Sequence, residues 1–328
     1  MHFKAIAALA ALAVAVPLAN ADAQGLQLRF GHVGNPGSLF SFSTENFAAC
    51  ANPKLGDKGE VQVFGSSQLG NDQELLQKLK LGQVTFSLPS TVLSSVTPEF
   101  GVFEMPYIVQ DRDHMRKIRD EVVMTTLQEA VQKKGYRILG VWENGFRHIT
   151  NNVRPIVKPE DLQGIKLRTP KGEWRVKMFR AYGANPTPLA FSEVFTALKT
   201  GVMDGQENPF AQIYSGKFQE VQKYLSLTGH VYTPAYILTS EAEFAKLPED
   251  VQQVLSDCAQ ENSEWVYNKA AEMENDLLGK IEAAGVAVNE ADKAAFVAAS
   301  KAIYDEFSST VEGGPELVEA LQKLAPKS

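Results

Sequence analysis

The stretch that decides the fold is GANPTPLAFSEVFTALKTGVMDGQENP, residues 183–209. Its central part carries apolar side chains at the spacing of one helix face: Phe191, Val194, Phe195 and Leu198. This spacing predicts a helix, which we expect Ser192 to cap and Gly201 to end, so that it covers 193–199. The flanking glycines and prolines are typical of turns that enter and leave such an element.

Outward from this stretch, strand-like and helix-like segments alternate along the chain. The predicted strands are Leu26–Phe30, Glu60–Phe64, Val84–Leu88, Tyr136–Glu143 and Gly164–Thr169. The predicted helices are one capped by Asn71 or Asp72, one over Arg112–Lys134, one over Glu173–Tyr182, and nearly all of the chain from Glu249. This alternation predicts an α/β fold with parallel sheets covered by helices, and a chain that crosses more than once between any two domains.

Length and composition exclude several classes of protein. The chain has 328 residues, enough for two domains with their own cores, and is 44% hydrophobic and 22% charged. These values exclude a disordered chain and a multispan membrane protein. A formal net charge of -7 argues against a general nucleic-acid binder.

The N-terminus has the three parts of a secretory signal. A short basic start at Met1–Lys4 precedes the apolar run Ala5–Ala19, and Ala21-Asp22-Ala23 offers a cleavage site. The run is shorter than the roughly 20 residues of a membrane span, so an anchor is the weaker alternative. We therefore expect residues 1–23 to be removed near Ala23 and the remainder to reach the periplasm.

Cys50 and Cys258 are the two cysteines of the chain, too few for a disulfide scaffold. In an oxidising compartment they could pair. A bridge needs a defined sulfur geometry that sequence does not supply. Buried free thiols are the simpler expectation.

The sequence contains none of the common catalytic motifs. There is no G-x-S-x-G, H-E-x-x-H, Walker A or G-x-G-x-x-G pattern, and the histidines are scattered. Asp204 and Glu207 are close in sequence, but carboxylates at such spacing are common on surfaces. We therefore predict no catalytic residue, no cofactor and no metal site.

Four stretches are specific in a way that the rest of the chain is not: Phe64–Leu76, Gly145–Asn151, Asp161–Pro170 and Gly183–Pro209. They read FGSSQLGNDQELL, GFRHITN, DLQGIKLRTP and the opening stretch quoted above. Together they resemble the solute-binding receptors of tripartite ATP-independent periplasmic (TRAP) transporters, of the C4-dicarboxylate and sialic-acid type.

The resemblance implies a receptor rather than an enzyme. Two α/β lobes linked by crossing strands and a long helix would close over a small organic acid, and the loaded receptor, a monomer, would deliver it to the transporter's membrane subunits. The implied lobes are about 24–145 plus 233–265, and about 146–232 plus 266–328. The alternative is a receptor of the same fold and site that passes its ligand state to a membrane sensor instead of a transporter.

Arg168 is the strongest candidate for a ligand contact. It ends a predicted strand just before Thr169-Pro170, and strands of an α/β sheet open on a crevice at their carboxyl ends. Its planar guanidinium can hold a carboxylate with two hydrogen bonds. By residue type alone a surface or ion-paired arginine is the simpler interpretation. The match to the family's carboxylate-binding arginine favours the ligand role.

Further candidates rest on the resemblance. Arg147 would reach a second polar or anionic group, although pairing with a neighbouring carboxylate is the alternative. Asn208 matches an amide of the family's cleft, and Phe191 an aromatic that packs on the ligand, with a core position as its rival. Ser90 and Asn71 fall at cleft positions, and the sialic-acid receptors carry a glutamate at the position of Ser90, which argues against a sialic-acid ligand.

Three more residues complete the predicted site. Lys171 and Trp174 begin the helix after the arginine strand, where backbone N–H groups suit an anion. Surface and core positions are their respective alternatives. His32 lies with Val33 in the first strand-to-helix turn, where the family also contacts ligand. Two arginines suit a dicarboxylate or sugar acid, whereas Phe191 and Trp174 suit an aromatic or branched monocarboxylate or a 2-keto acid.

Overall fold

The computed structural model describes residues 25–326. The predicted signal segment, residues 1–23, lies outside this range. Among the described helices, none combines the length and the apolar character that crossing a bilayer requires.

Eleven strands and twelve α-helices are assigned between residues 25 and 326. The strands are β1 (Leu26–Gly31), β2 (Gly59–Phe64), β3 (Phe86–Ser87), β4 (Tyr136–Phe146), β5 (His148–Asn151), β6 (Lys166–Thr169), β7 (Asn185–Pro188), β8 (Gly205–Asn208), β9 (Tyr224–Leu227), β10 (Tyr232–Ser240) and β11 (Ala287–Glu290). The helices are α1 (Leu39–Leu55), α2 (Asp72–Lys80), α3 (Arg112–Ile118), α4 (Gln128–Lys133), α5 (Glu173–Ala181), α6 (Phe191–Lys199), α7 (Phe210–Ser215), α8 (Glu241–Phe244), α9 (Glu249–Ala283), α10 (Lys293–Ala299), α11 (Lys301–Thr310) and α12 (Gly314–Lys323). The two-sheet α/β class agrees with the prediction.

The strands form two sheets, in the orders β2-β1-β3-β10-β4 and β11-β9-β5-β8-β6-β7. Both sheets are mixed, which corrects the expectation of parallel sheets. In the first, β10 runs antiparallel to β3 and β4. In the second, β5 runs antiparallel to β8 and β9. The antiparallel strands are those by which the chain enters and leaves each sheet, a constraint that the local βα pattern does not contain.

The chain passes between the sheets three times, twice through short neighbouring segments and once through α8 and α9, which lead from β10 of the first sheet to β11 of the second. A single residue, Arg147, separates β4 of the first sheet from β5 of the second. The return runs from β9 to β10 through residues 228–231. The 35-residue helix α9, roughly 50 Å long at 1.5 Å per residue, packs on β4, α1 and α7 and so connects elements next to both sheets.

Cys50 and Cys258 form a disulfide, so the expectation of free thiols was wrong. Their Cα atoms lie 5.8 Å apart, within the range that a bridge requires. Packing of α1 against α9 brings them together across 208 positions of sequence. Such a long-range contact follows from tertiary packing and has no local signal.

Several elements differ from the predictions, and three of the differences change the local structure. Helix α6 begins at Phe191 after Ala190, and the backbone N–H of Ala190 is bound by the Glu193 carboxylate, so Ser192 does not cap it. The predicted helix over 112–134 contains a π-helical segment at Arg119–Leu127. The C-terminal region holds β11, which pairs with β9, in addition to helices.

The C-terminal helix α12 packs beside the first sheet. Its Leu317 and Leu321 share a hydrophobic core with Val102, Met115 and Tyr236. The carbonyl of Leu321 also lies 2.7 Å from Nε2 of His114. The lobe boundaries stay a prediction. That prediction assigns residues 266–328 to the second lobe, whereas α12 packs against the core beside the first sheet.

Candidate functional site

A cleft with two connected chambers lies between elements of the two sheets. The larger chamber has a volume of about 280 Å³ and the smaller about 40 Å³. Asp72 and Val92 line both from the first-sheet side, and Arg168, Pro170 and Phe191 line both from the second. The cleft is therefore built by both halves of the molecule.

Arg168 occupies the junction of the chambers, where the sequence predicted a ligand contact. It lies on β6 and is 3% exposed. Its Nε and Nη2 donate to the carbonyl of Leu189 at 3.0 and 2.6 Å. Among residues 25–326, no carboxylate oxygen comes within 4.0 Å of this guanidinium. Burial lowers the pKa of Arg168 to about 9, which leaves it cationic at neutral pH.

Arg147 also lines the smaller chamber, but its charge is already compensated. Its Nε and Nη2 donate to the Glu207 carboxylate at 2.5 and 3.0 Å. The same Nη2 donates to the Glu207 carbonyl at 2.7 Å and to Oδ1 of Asn208 at 3.0 Å. Arg147 is therefore paired with a neighbouring carboxylate, which was the alternative interpretation of this residue.

Glu207 is the centre of a fully buried ion cluster beside the cleft, which we call the Glu207 cluster: Arg147, Arg175, Glu104, Glu207 and His230. Nη1 of Arg175 lies 2.6 Å from the Glu207 carboxylate, and Nε of Arg175 lies 2.8 Å from that of Glu104. The two arginines hold the pKa of Glu207 far below its usual range, against the effect of burial. Asp204, which is close to Glu207 in sequence, is not a member of this cluster and pairs with Lys166 instead.

His230 is the neutral member of the Glu207 cluster. Burial lowers its pKa to about 4. Its Nε2 lies 3.1 Å from the Glu207 carboxylate, which can only accept a hydrogen bond, and its Nδ1 lies 2.8 Å from Oγ1 of Thr228. A neutral ring donates from one nitrogen only, so Nε2 carries the proton and Thr228 donates to Nδ1.

Asn208 and Phe191 both line the cleft. Asn208 ends β8, lies 3% exposed in the wall of the smaller chamber, and donates from Nδ2 to Oε1 of Gln206 at 2.5 Å. Phe191, the first residue of α6, is half-buried and borders both chambers. Its ring also packs on Phe218 at 5.7 Å between centroids, so it joins the core to the cleft.

Ser90, Asn71 and Lys171 lie at the cleft as well. Ser90 lines the smaller chamber and donates to the carbonyl of Pro234 at 2.7 Å. Asn71 borders the larger chamber but its Oδ1 caps α2, accepting from the N–H groups of Gln73 and Glu74. Lys171 lines the larger chamber with an exposed side chain.

Two predicted residues lie away from the chambers. Trp174 is 3% exposed and packs edge-on against Phe307 in the core, the alternative considered for it. His32 is 1% exposed and lines neither chamber, although the next residue, Val33, lines the smaller one. Burial lowers the pKa of His32 to about 4, so the ring is neutral at pH 7.

The sequence analysis did not select Asp72, Asn144 or Gln212, which the fold places at the cleft. Asp72 is the first residue of α2, and burial raises its pKa to about 6 although Arg168 acts in the opposite direction. Asn144 on β4 and Gln212 on α7 line the smaller chamber. The sequence indicated Asp72 only as a possible helix cap. The residues next to Asn144 and Gln212 in sequence gave no signal for a position at the cleft.

Comparison with known proteins places this architecture among solute receptors. The family "Bacterial extracellular solute-binding protein, family 7" matches residues 30–310. The 2,3-diketo-L-gulonate-binding periplasmic protein of Escherichia coli K12 is 31% identical over 90% of this chain and 92% of its own.

Two solved structures have the same fold. The sugar acid binding protein of Advenella mimigardefordensis, in complex with galactonate, superposes with a TM-score of 0.88 and 31% identity over 92% of this chain and 99% of its own. A TRAP periplasmic solute-binding protein of Sulfurospirillum deleyianum with bound succinate gives 0.86 and 35% over 91% and 99%.

Proposed function

The chain belongs to family 7 of the bacterial extracellular solute-binding proteins, the receptors of TRAP transporters, and on this premise we propose that it binds one small organic acid in the cleft. The larger and smaller chambers receive the acid between the two halves of the molecule, and Arg168 binds its carboxylate. This assigns Arg168 the main role and makes the other cleft residues its partners.

The absence of an ion-pair partner for Arg168 among residues 25–326 is the observation that carries this proposal. A buried charge is costly unless a partner of opposite sign is present. Within the described part of the chain, the hydrogen-bond partner of the Arg168 guanidinium is the Leu189 carbonyl, and the half-buried Asp72 acts on it through charge without forming an ion pair within 4.0 Å. A bound carboxylate would supply the missing partner with two hydrogen bonds of favourable geometry.

Charge counting favours a single carboxylate at this point of the cleft. In the Glu207 cluster, two arginines pair with two glutamates beside a neutral histidine, so with both glutamates ionised the cluster needs no ligand charge. Burial raises the pKa of Glu104, although its ion pair with Arg175 acts in the opposite direction. At the chambers' junction Arg168 has no carboxylate within 4.0 Å among the described residues, and the Asp72 carboxyl, with a pKa of about 6, offsets its charge only from a greater distance. Arg147 then contributes by position and hydrogen bonding rather than by clamping a second carboxylate.

The class of acid follows from the remaining lining and from the relatives. Those relatives bind, by their names, a diketogulonate, galactonate and succinate. Side chains of Asn71, Gln73 and Glu193 around the larger chamber offer hydrogen bonds to hydroxyl groups. A sugar acid uses all of them, and a C4-dicarboxylate is the second candidate because Lys171 could bind its distal carboxylate. With Trp174 in the core, the support for an aromatic acid is reduced to Phe191.

The same proposal extends to compartment and partners. The family is periplasmic, and the N-terminal pattern supports export with cleavage near Ala23. The receptor would deliver its acid, as a monomer, to the membrane subunits of a TRAP transporter. Co-purification with those subunits, dependent on the acid, would separate this role from that of a sensor.

A thermal-shift screen of the mature chain tests the proposal. Residues 24–328 are refolded to remove carried ligand and screened against aldonates, uronates, C4-dicarboxylates, 2-keto acids and aromatic acids. A ligand at 100 times its dissociation constant adds about 2.7 kcal/mol, which moves the melting temperature by several degrees. We expect hits among sugar acids or C4-dicarboxylates, absent in Arg168→Met and retained in Arg29→Met, a control at an exposed position on β1. A folded Arg168→Met protein that responds like the wild type would overturn the site.

A further inference from the structure

A chain of hydrogen-bonded side chains runs along the smaller chamber: Gln212, Asn144 and Ser90. Nε2 of Gln212 donates to Oδ1 of Asn144 at 3.4 Å, and Nδ2 of Asn144 donates to Oγ of Ser90 at 3.3 Å. Ser90 in turn donates to the carbonyl of Pro234 at 2.7 Å. Gln212 lies on α7, after the second sheet's β8, and the other members lie on or beside the first sheet.

The last member of this chain determines the direction of every bond in it. The Pro234 carbonyl can only accept, so the Ser90 hydroxyl proton is used there, and Ser90 must accept from Asn144. Asn144 therefore turns its NH₂ group toward Ser90 and its oxygen toward Gln212. Gln212 must donate to that oxygen through its NH₂ group. Its own amide oxygen, Oε1, therefore takes no part in this series of hydrogen bonds.

Oε1 of Gln212 is a buried acceptor without a partner among residues 25–326. Gln212 is 3% exposed and lines the smaller chamber together with Arg168. The other amide oxygens of that chamber are used, since Asn144 accepts from Gln212 and Asn208 accepts from Arg147. A buried acceptor without a donor is costly, so this position suits a donor from outside the described residues, such as a bound ligand.

The size of the smaller chamber limits which part of a ligand reaches Gln212. A volume of about 40 Å³ holds only a few atoms, whereas the larger chamber of about 280 Å³ holds the rest of the acid. Arg168 at the junction binds the carboxylate. The group beside Gln212 is then a substituent on the carbon next to that carboxylate.

We propose that Gln212 is a specificity-determining residue that accepts a hydrogen bond from the hydroxyl on the carbon adjacent to the ligand's carboxylate. This inference rests on the proposed function and narrows its substrate class to 2-hydroxy acids, such as aldonates. A second carboxylate would place two acceptors together, and an unsubstituted acid would leave Oε1 unsatisfied. Thr91, whose buried hydroxyl also lacks a partner in this chamber, can donate or accept and so does not discriminate.

Calorimetric titration of matched pairs tests the inference. The pairs differ by one hydroxyl: D-galactonate and 2-deoxy-D-galactonate, D-gluconate and 2-deoxy-D-gluconate, and each malate enantiomer against succinate. In the wild type we expect the hydroxy acid of the best pair to bind 10- to 100-fold more tightly than its deoxy partner. In Gln212→Met, which keeps the side-chain length without the acceptor, this ratio should fall to within threefold. Gln253→Met, at an exposed position on α9, should leave it unchanged.

The ratio separates the inference from its premise. Removing the Gln212 amide also leaves Oδ1 of Asn144 without its donor, but that cost falls equally on both members of a pair. If the deoxy acid binds as tightly as the hydroxy acid in the wild type, or if Gln212→Met retains the full ratio, the role of Gln212 is wrong while an Arg168-dependent receptor stands. If none of these pairs binds while another acid of the thermal-shift panel does, the role of Gln212 is wrong; if no acid of that panel binds, or binding persists in Arg168→Met, the proposed function itself is wrong.

Discussion

Two arginines at the same cleft, Arg147 and Arg168, are equally buried, with 2% and 3% of their surface exposed. Arg147 donates four hydrogen bonds to Glu207 and Asn208. Arg168 donates two, both to one backbone carbonyl. The difference between the Glu207 cluster and the chambers' junction is therefore charge compensation. It teaches that neither burial nor residue type distinguishes an arginine paired with a carboxylate from one without such a pair.

The largest effect is expected from removing the charge at the centre of the Glu207 cluster. Glu207→Gln leaves Arg147 and Arg175 partly uncompensated in the interior, and we expect the free energy of unfolding to fall by about 3–5 kcal/mol. Denaturant unfolding of the ligand-free protein at pH 7 measures this loss. Glu243→Gln, which removes an exposed pair with Lys246, is the control and should cost less than about 1 kcal/mol.

A loss as small as that of the control would break the comparison, because it would mean that the Glu207 cluster does not compensate its arginines. A replacement of Glu207 that fails to fold would agree with the expectation. The milder Arg147→Lys then provides a measurable version, since lysine keeps the charge but loses the paired hydrogen bonds.

Arg168→Met should separate binding from stability. We expect at least a 100-fold weaker affinity for the acid, because the buried carboxylate loses its charged partner. The free energy of unfolding of the ligand-free protein should change by less than about 1 kcal/mol, because a buried and uncompensated charge is removed with it. Calorimetric titration and denaturant unfolding measure the two quantities. A stability loss comparable with that of Glu207→Gln would place Arg168 with the structural arginines.

The Asp72 carboxyl, which lies near Arg168, predicts how the stability of the ligand-free protein changes with pH. Its folded-state pKa of about 6 lies above the ordinary value of 3.8, so the fold prefers the protonated form. This contribution to stability is present below pH 4 and is lost as the pH rises to 6. Relative to the wild type, ligand-free Asp72→Asn should therefore become more stable over that interval. A constant difference between Asp72→Asn and the wild type from pH 4 to 7 would show that Asp72 titrates normally.

Lys171 is expected to give the smallest effect. Its side chain is exposed at the rim of the larger chamber, where water screens the charge. We expect Lys171→Gln to weaken an aldonate less than threefold by calorimetry, in contrast to Arg168→Met. A tenfold loss confined to succinate or malate would identify Lys171 as a contact of the distal carboxylate and would favour the dicarboxylate candidate.

Much of the site could be predicted because its signals are local in sequence. Arg168 lies one residue before the end of β6, close to the predicted strand end, and Asn71 caps α2, as the residue pattern indicated. The motif around Asn208 placed this residue at the cleft. What each arginine would meet could not be predicted, since Glu207 follows Arg147 by 60 positions on another strand.

The sequence by itself determined the α/β class, most of the elements, the family and the position of Arg168, because periodicity, turn residues and motifs act within a few residues. Only the tertiary structure decided the antiparallel crossing strands, the Cys50–Cys258 bridge, the compensation of Arg147 and the core position of Trp174. The tertiary structure also showed that the buried Oε1 of Gln212 has no donor among residues 25–326. These features depend on distances between segments far apart in the chain, and on whether a partner of the right charge or hydrogen-bonding type lies at the other end.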